Sequence, residues 1–347
     1  MNKIDLELLK LLKKNKNTFI SGEEMSSLLG VSRTTIWKHI KKLREQGFMI
    51  ESVTNKGYSL KSESELIIAE EVLLELETKE IAREIITFDK VDSTNTKAKE
   101  IARKGDFKSG TVLLAEEQSK GKGRLGRSWY SPPGTGLFLS VLLKPKLPPL
   151  KAPFLTIVAS LAVVEAIEKL DNNIKPLSST KKKKIQDNLL EGLEIKWPND
   201  ILFNKKKISG ILSEMNADLD IINYAVVGIG INVNQEFFPE DIKEIASSLK
   251  VEYGEKVNRK KLLKFLLGSF EKFYFLLLEG KDRLLLEKWK DYLDIIDKKV
   301  SIINNDDKIR GRVVNISKRG ELILIDEDGQ LHTFWAGDVS LRQEDSL

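Results

Sequence analysis

Residues 118–129, Gln-Ser-Lys-Gly-Lys-Gly-Arg-Leu-Gly-Arg-Ser-Trp, constrain this chain more than any other stretch. Glycine has no Cβ, so its backbone can adopt left-handed conformations and its amide can approach a ligand closely. The lysines and arginines between the glycines carry charge that suits phosphate or carboxylate oxygens. No Gly-Lys-Ser/Thr follows at the spacing of a Walker loop. The stretch therefore predicts a loop that closes over an anion, and a solvated surface loop is the alternative.

The composition limits the remaining possibilities. The 347 residues are enough for two or three domains. A net charge of +5, from 57 basic and 52 acidic residues, does not by itself indicate polyanion binding. The chain has no cysteine, which excludes disulfides, thiolate catalysis and Cys-ligated zinc. The two histidines, His39 and His332, lie near opposite ends, so the middle of the chain holds no catalytic triad and no histidine metal cluster.

The N-terminal region has the pattern of a winged helix-turn-helix. Apolar residues recur at helical spacing in residues 4–14, and Ser21 and Ser32 are predicted to cap two further helices. A hairpin turn at Asn55-Lys56-Gly57 separates two alternating segments, 48–53 and 58–61. Polar and basic residues at the start of the second capped helix, and one in the turn, form the predicted DNA-binding set. The set is Ser32, Arg33, Thr34, Thr35, Lys38 and Lys56.

One such module covers one half-site, so a DNA-binding form is expected to be a dimer. A protein-interaction module with a solvated basic face is the alternative. No secretory signal and no uninterrupted apolar run of membrane-spanning length are found, which indicates a cytoplasmic protein.

Three further motifs lie outside the glycine loop, one before it and two after it. Asp92-Ser-Thr-Asn95 stands before a predicted helix at 96–103 and by itself indicates only an N-cap. Lys196-Trp-Pro-Asn-Asp200 ends a predicted strand, and a lysine on a strand inside a domain is rarely unpaired, which favours an anionic ligand. Val226–Asn234 is a glycine-containing strand that is weak as a dinucleotide fingerprint. Ser178–Lys184 is predicted to be an exposed cationic insertion.

In this order, the motifs resemble those of biotin–protein ligases. Gly121–Trp129 is similar to the family's Gly-Arg-Gly-Arg-x-Gly-Arg-x-Trp loop, with Lys122 in place of an arginine, which keeps the charge but loses the bidentate fork. Residues 196–200, 210–214 and 228–232 match the family's Lys-Trp-Pro-Asn-Asp, Gly-Ile-Leu-x-Glu and Gly-Ile-Gly-x-Asn segments.

The resemblance implies an α+β fold with three domains. We expect a winged helix-turn-helix at 1–64, a linker helix at 65–80 and a catalytic domain at 81–296 built on a mixed sheet of the class II synthetase type. An SH3-like β-barrel is expected at 297–347.

The resemblance also implies the substrates, biotin and ATP with Mg²⁺, and the roles of individual residues. Lys196 and Arg124 are the expected catalytic cations. The expected biotin set is Ser93, Thr94, Asn95, Gln118, Lys122, Gly123, Arg124 and Lys196, and the expected nucleotide set is Gly121, Arg127, Asn199 and Asn232. Trp129 and Trp197 are expected to be apolar walls, and Asp200 is a guess for the base that accepts a proton from the carrier lysine.

The expected partners are a biotin carboxyl carrier domain, operator DNA and a second copy of the chain when biotinyl-5′-adenylate is bound. Three other functions remain open at this point. They are a lipoate–protein ligase, a repressor that senses biotin without catalysis, and a ligase whose winged domain no longer binds DNA.

Overall fold

The computed structural model describes residues 3–171, 192–304, 307–335 and 338–341. Two compact units divide the chain, one from Met1 to Glu75 and one from Leu76 to Leu347. The predicted insertion at Ser178–Lys184 lies outside the described residues.

The first unit contains four helices and a β-hairpin in the residues that the structure describes. Its elements are α1 (Lys3–Lys14), α2 (Gly22–Leu29), α3 (Arg33–Glu45), β1 (Met49–Val53), β2 (Gly57–Ser62) and α4 (Ala69–Glu75). The predicted caps are confirmed, because the hydroxyls of Ser21 and Ser32 accept hydrogen bonds from the Glu24 and Thr35 amides. Strands β1 and β2 pair antiparallel around a turn in which Asn55 has a φ of +66°. The helix-turn-helix and its wing are therefore formed as predicted.

The expected linker helix over 65–80 is much shorter than predicted. Only Ala69–Glu75 is helical. Instead of continuing a helix, the amides of Lys79, Glu80 and Ile81 donate to the carboxylate of Glu271, at 2.6–2.9 Å. This acceptor from a distant helix competes with helical hydrogen bonding and fixes the start of the second unit.

A seven-stranded mixed sheet forms the centre of the second unit. Its elements are β3 (Ile85–Val91), α5 (Thr94–Lys104), β4 (Thr111–Gln118), β5 (Leu137–Leu143), α6 (Ala152–Asp171), β6 (Leu193–Lys196), β7 (Asp200–Phe203), β8 (Lys206–Ala217), β9 (Ile222–Ile231), α7 (Leu249–Tyr253), α8 (Arg259–Leu278) and α9 (Asp282–Lys290). The strand order is β3-β4-β5-β9-β8-β7-β6, with β3 and β4 parallel and the other pairs antiparallel. Because β9 lies between β5 and β8, the segments after β3, β4 and β6 meet over one part of the sheet.

Helix α6 is long and apolar. By length and composition Pro149–Leu170 could cross a membrane, with a mean hydropathy of 1.8 over its most apolar window, but Thr156, Ser160 and Glu165 interrupt it, so it is not the uninterrupted apolar run whose absence was noted in the sequence. In the structure 67% of this window is buried, and α6 packs against α8 and β8. Its apolar composition is that of a core helix covered by protein rather than by lipid.

The last part of the second unit is an antiparallel sheet. Its strands are β10 (Lys299–Asn304), β11 (Asp307–Ile316), β12 (Leu322–Asp326), β13 (Leu331–Phe334) and β14 (Asp338–Leu341), in the order β13-β12-β11-β10-β14. The final strand was not predicted from the sequence. The indole N–H of Trp197 donates to the carbonyl of Gly320 at 3.1 Å, which joins this sheet to the central one.

Candidate active site

A cavity of about 540 Å³ lies where the glycine loop, the start of α5 and the β6–β7 turn meet above β8 and β9. Sequence-predicted residues from every one of these segments line it. They are Ser93, Thr94, Asn95, Gln118, Lys122, Gly123, Arg124, Arg127, Trp129, Lys196, Trp197, Asn199, Asp200 and Asn232. The segments lie as much as 139 residues apart in the chain, from Ser93 to Asn232, and the sheet brings them together.

The inner wall of the cavity is the start of α5. Ser93, Thr94 and Asn95 are almost fully buried, and the helix begins at Thr94 rather than at the predicted Thr96. Ser93 stands at the N-cap of α5, as the local motif indicated, although its side chain makes no capping hydrogen bond. Asn95 is held on both sides, since its Oδ1 lies 2.6 Å from the hydroxyl of Ser140 and its Nδ2 donates to the carbonyl of Leu212 at 3.1 Å.

Gln118 fixes the same wall from the end of β4. Its Oε1 accepts from the Thr94 amide at 2.8 Å, and its Nε2 donates to the hydroxyl of Ser131 at 3.0 Å. Both ends of this carboxamide therefore have protein partners. The geometry makes Gln118 a residue that positions Thr94 as well as one that lines the cavity.

Glu214 is a carboxylate that contacts both Asn95 in this wall and a neighbouring lysine, Lys99. It accepts from Lys99 at 2.6 Å and from Asn95 Nδ2 at 2.9 Å. Burial favours a higher pKa for Glu214, but the hydrogen bonds from Lys99 and Asn95 and the charge of Lys122 outweigh burial and lower the pKa below its usual value. Glu214 is thus ionised at neutral pH. Glu214 is the last residue of the Gly-Ile-Leu-x-Glu segment, and the sequence did not predict a role for it.

The glycine loop at the edge of the cavity is folded back on itself by a hydrogen bond and a short turn. Gly123 donates to the carbonyl of Arg127 at 2.7 Å, and a 3₁₀ turn spans Arg124–Gly126. Leu125 and Gly126 both have positive φ, at +55° and +74°, so the turn needs a glycine. This closed turn directs Arg124 towards the β6–β7 segment.

Arg124 makes the contact that joins the two most informative motifs. Its Nη1 donates to Oδ1 of Asn199 at 2.9 Å, and Asn199 Nδ2 in turn donates to the carbonyl of Ile211 at 2.9 Å. A side chain on the turn after β6 therefore orients the arginine, and β8 orients that side chain. We interpret Asn199 as a residue that positions Arg124, alongside its predicted contact with nucleotide.

Lys196 lies at the rim of the cavity. It is exposed, whereas Ile195 and Trp197 on either side are buried. The predicted alternation is confirmed, but the expectation that Lys196 lies inside the domain is wrong, because its side of β6 faces the open cavity. An exposed ammonium can meet a ligand anion without a large loss of solvation.

Asp200 and Lys207 form an ion pair that the sequence did not reveal. Lys207 Nζ lies 2.8 Å from Asp200 Oδ1 and 5.2 Å from the centre of the Trp129 ring. The guess that Asp200 is the base stays a prediction. In the pairing of β7 with β8, Lys207 lies opposite Leu202, two residues from Asp200 on the same strand, and this register is the signal that could have identified Lys207.

Two predicted nucleotide residues have structural roles. A Cβ on Gly121 would lie 2.5 Å from the carbonyl oxygen of Trp129 and 2.9 Å from Ser131 Oγ, so close backbone packing requires glycine there. Gly121 does not appear among the described residues that line the cavity. Asn232 lines the cavity, and its Nδ2 donates to the carbonyl of Ser247 at 3.0 Å. Contacts of either residue with nucleotide remain predictions.

The predicted DNA-binding residues lie together on the first unit. Arg33, Thr34 and Lys38 are exposed on α3, and Lys56 is exposed in the hairpin turn. The hydroxyl of Ser32 lies 2.8 Å from that of Thr35 and also accepts from the Thr35 amide, so these two residues cap the helix. The basic tip and the wing are therefore available to a partner.

Comparisons with known proteins agree with this geometry. The family model "Biotin/lipoate A/B protein ligase family" matches residues 87–232, "HTH domain" matches residues 5–59, and "Biotin protein ligase C terminal domain" matches residues 295–342. A solved biotin protein ligase from Aquifex aeolicus, in complex with biotin and ATP, is 32% identical with a TM-score of 0.60, covering 75% of this chain and 99% of that one.

Full-length relatives extend the match to almost the whole chain. The bifunctional ligase/repressor BirA of Bacillus subtilis is 35% identical over 337 residues, covering 96% of this chain and 98% of the relative. The bifunctional ligase/repressor BirA of Escherichia coli is 30% identical over 341 residues, covering 98% of each. The chain therefore belongs to the BirA family of bifunctional ligase/repressor proteins.

Proposed function

We propose that this protein attaches biotin to a carrier protein in two steps and represses transcription through its first unit. In the first step a biotin carboxylate oxygen attacks the α-phosphorus of ATP, so that biotinyl-5′-adenylate forms and pyrophosphate leaves. In the second step the amine of a carrier lysine attacks the carbonyl of the mixed anhydride, and AMP leaves. Relatives of similar length are named as ligase and repressor together, which supports both activities.

The observation that carries the proposal is the contact between Arg124 and Asn199. It joins the glycine loop to the Lys-Trp-Pro-Asn-Asp turn beside a cavity whose opposite wall is Ser93–Asn95. Such a cavity offers polar groups at one end and cations at the other. Biotin, with a ureido ring at one end and a carboxylate at the other, has the complementary shape and charge.

Cations and positioning supply the catalysis in this proposal. Negative charge develops on the carboxylate and phosphoryl oxygens in both steps, and Arg124, Lys122 and Lys196 line the cavity where these oxygens would lie. The family's residues carry over as follows: Ser93, Thr94, Asn95, Gln118 and Gly123 hold biotin, and Gly121, Arg127, Asn199 and Asn232 contact the nucleotide.

The proposed Mg²⁺ would arrive on the phosphates of ATP. Within residues 3–171, 192–304, 307–335 and 338–341, no group of three or more His, Asp or Glu side chains could hold a metal ion by itself. We therefore propose that the Mg²⁺ ion keeps water molecules and phosphate oxygens as its ligands. The base for the carrier lysine is left unassigned, and Asp200, which is paired with Lys207, stays a guess for it.

Repression would couple the two units. We propose that biotinyl-5′-adenylate orders the Gly121–Arg127 loop and favours a homodimer formed through the central sheet, which pairs two winged domains on operator DNA in the cytoplasm. We also propose that the domains end at residues 64, 80 and 296, as expected from the sequence. Sedimentation with and without biotin and ATP tests the coupling, and an unchanged mass would contradict it.

Adenylation and carrier transfer test the ligase. Purified protein is incubated with biotin, labelled ATP and a biotin carrier domain, and biotinyl-adenylate and biotinylated carrier are measured separately. We expect Arg124→Ala and Lys196→Ala each to lower the rate of adenylation by about 100-fold or more, because each removes a positioned cation. Lys206→Ala, on the exposed start of β8 outside the cavity lining, is the matched control.

The same assay separates the other functions. A wild-type protein that binds biotin but forms no adenylate would be a sensor without catalysis. Transfer of lipoate in preference to biotin would indicate the lipoate ligase, a function that the family model's description also includes. Ligase activity without operator binding would leave a ligase whose winged domain has lost DNA recognition.

A further inference from the structure

Trp37 is an exposed tryptophan in the middle of α3. Its side chain is 53% exposed, although an indole is among the largest apolar groups that a protein can bury. Ile36, Ile40 and Leu43 form the buried stripe of this helix, with no exposed surface, and Trp37 lies on the flank of that stripe. Trp37 is therefore not required to complete the core of this unit, and an exposed indole is a group that is enriched at interfaces.

The surroundings of Trp37 are cationic. Arg33 and Lys41 stand four residues before and after it, so they lie on the same part of the helix, and both are exposed. The 13-residue helix contains one acidic residue, Glu45, at its end. Charge complementarity thus favours an anionic partner, such as a nucleic-acid duplex, over a neutral or basic protein surface.

The helix face that carries Trp37 is turned towards the wing. Arg44, seven residues later on the same face, donates from both Nε and Nη2 to the carbonyl of Ile50 in β1, at 2.9 and 2.7 Å. Trp37 therefore lies on the side of α3 that it shares with Arg44, next to the predicted recognition residues Arg33 and Lys38. In a winged helix-turn-helix, a duplex lying on α3 and the wing would pass over this position.

We propose that Trp37 reads sequence by packing its indole against the 5-methyl group of thymine in the major groove. This methyl is the apolar group that distinguishes thymine on that edge, and apolar side chains recognise it by contact. Arg33 and Lys41 would hold the flanking phosphates, which carry no sequence information. The inference rests on the proposed repressor function and adds a specificity-determining residue to it.

The test removes the methyl group instead of the base pair. Duplexes that bind the full-length wild-type protein in the presence of biotin and ATP are first selected from a random pool. Each thymine of the selected site is then replaced singly by deoxyuridine, which keeps every hydrogen bond, and equilibrium binding is measured. We expect one or two positions at which loss of the methyl weakens wild-type binding about fourfold.

The same comparison of thymine and deoxyuridine duplexes is made with Trp37→Ala. At those positions we expect it to bind thymine and deoxyuridine duplexes equally, whereas Trp37→Phe should retain part of the preference. Leu28→Ala is the matched control, because Leu28 is 62% exposed on α2, and it should keep the wild-type preference. Unchanged adenylation shows that the second unit of each variant is folded, and retained binding to the selected duplex shows that the first unit is folded.

The outcomes are distinct. If Trp37→Ala still distinguishes thymine from deoxyuridine as the wild type does, the inference is overturned. It is also overturned if the wild type distinguishes them at no position, or if Trp37→Ala leaves DNA binding intact and instead abolishes homodimer formation. If the wild type enriches no duplex at all, the repressor proposal fails first and this inference fails with it.

Discussion

The recognition helix and the reaction cavity use cations in opposite ways. On α3, Arg33 and Lys38 are exposed and come from a single stretch of sequence. In the cavity, Arg124 is held by Asn199, and Lys207 is held by Asp200 and lies over Trp129. The first surface is built by one helix, whereas the second exists only because strands that are distant in sequence are neighbours in the sheet.

This difference has a physical reason. A duplex presents repeating phosphates, so exposed side chains on long stems can meet it with modest precision. A reacting carboxylate and phosphate need cations at fixed positions, since a displacement of about 1 Å can lower a rate about 100-fold. The cavity therefore requires neighbouring residues that hold its cations in fixed orientations.

The largest effect is expected from Asn199→Ala. The substitution removes the acceptor that holds Arg124 at 2.9 Å, and we expect kcat/KM for biotin adenylation to fall by about 100-fold. Asn199→Asp keeps the oxygen and should recover part of the loss, which a purely structural role would not predict. Asn223→Ala, an exposed asparagine on β9, is the control. Equal loss in both alanine variants would contradict the positioning role.

A smaller effect is expected on the DNA side. Arg33→Ala and Lys38→Ala should each weaken operator binding about tenfold without changing the rate of adenylation. Each variant that loses a phosphate contact should also reduce the slope of log K against log salt concentration by about 1. Lys14→Ala, an exposed cation at the end of α1, serves as control. A loss of adenylation in Arg33→Ala would show that the two regions are less independent than proposed.

Gly121→Ala tests the packing of the loop. Because the new Cβ would lie 2.5 Å from the Trp129 carbonyl oxygen, we expect the free energy of unfolding to fall by about 1–3 kcal/mol. Gly268→Ala in α8 has nothing within 4 Å of the new Cβ, and it should be neutral or stabilise by about 0.4–1 kcal/mol. Urea denaturation of both variants measures the contrast. A Gly121→Ala protein of full stability that fails to bind ATP would favour the nucleotide role.

The smallest effect concerns Glu214 and pH. Its pKa is lowered in the folded protein by Lys99, Asn95 and Lys122, so the ionised carboxylate contributes stability above the unfolded pKa, and this is lost as pH falls through the folded pKa. The wild type should exceed Glu214→Gln by under about 1 kcal/mol between pH 5 and 8, and the difference should shrink in more acidic solution. Glu244→Gln, at an exposed position, should show no such trend. A difference that grows towards acid would reverse the assigned sign.

Several features could be predicted from local sequence. Ser21 and Ser32 specify helix starts through short-range hydrogen bonds, and the Asn55–Gly57 turn specifies the wing. These elements depend on residues within a few positions of each other. By contrast, the end of the linker helix depends on Glu271, about 190 residues away, which no local pattern reveals.

Site residues whose surroundings differ from the prediction follow the same rule. Lys196 was expected inside the domain, yet it is exposed at the rim. Lys207 was missed because its partner Asp200 is on the adjacent strand. In each case the side chain's role depends on which strand lies beside it, which composition and periodicity do not specify.

The sequence by itself determined the element types, the winged helix-turn-helix and the motifs that indicated an anion-binding ligase, because glycine turns, caps and apolar periodicity act over short distances. Only the tertiary structure decided which cations face the cavity and which acids hold them. The reason is the mixed order of the central sheet, in which β9 lies between β5 and β8, so that Arg124, Asn199 and Asn95 surround one space.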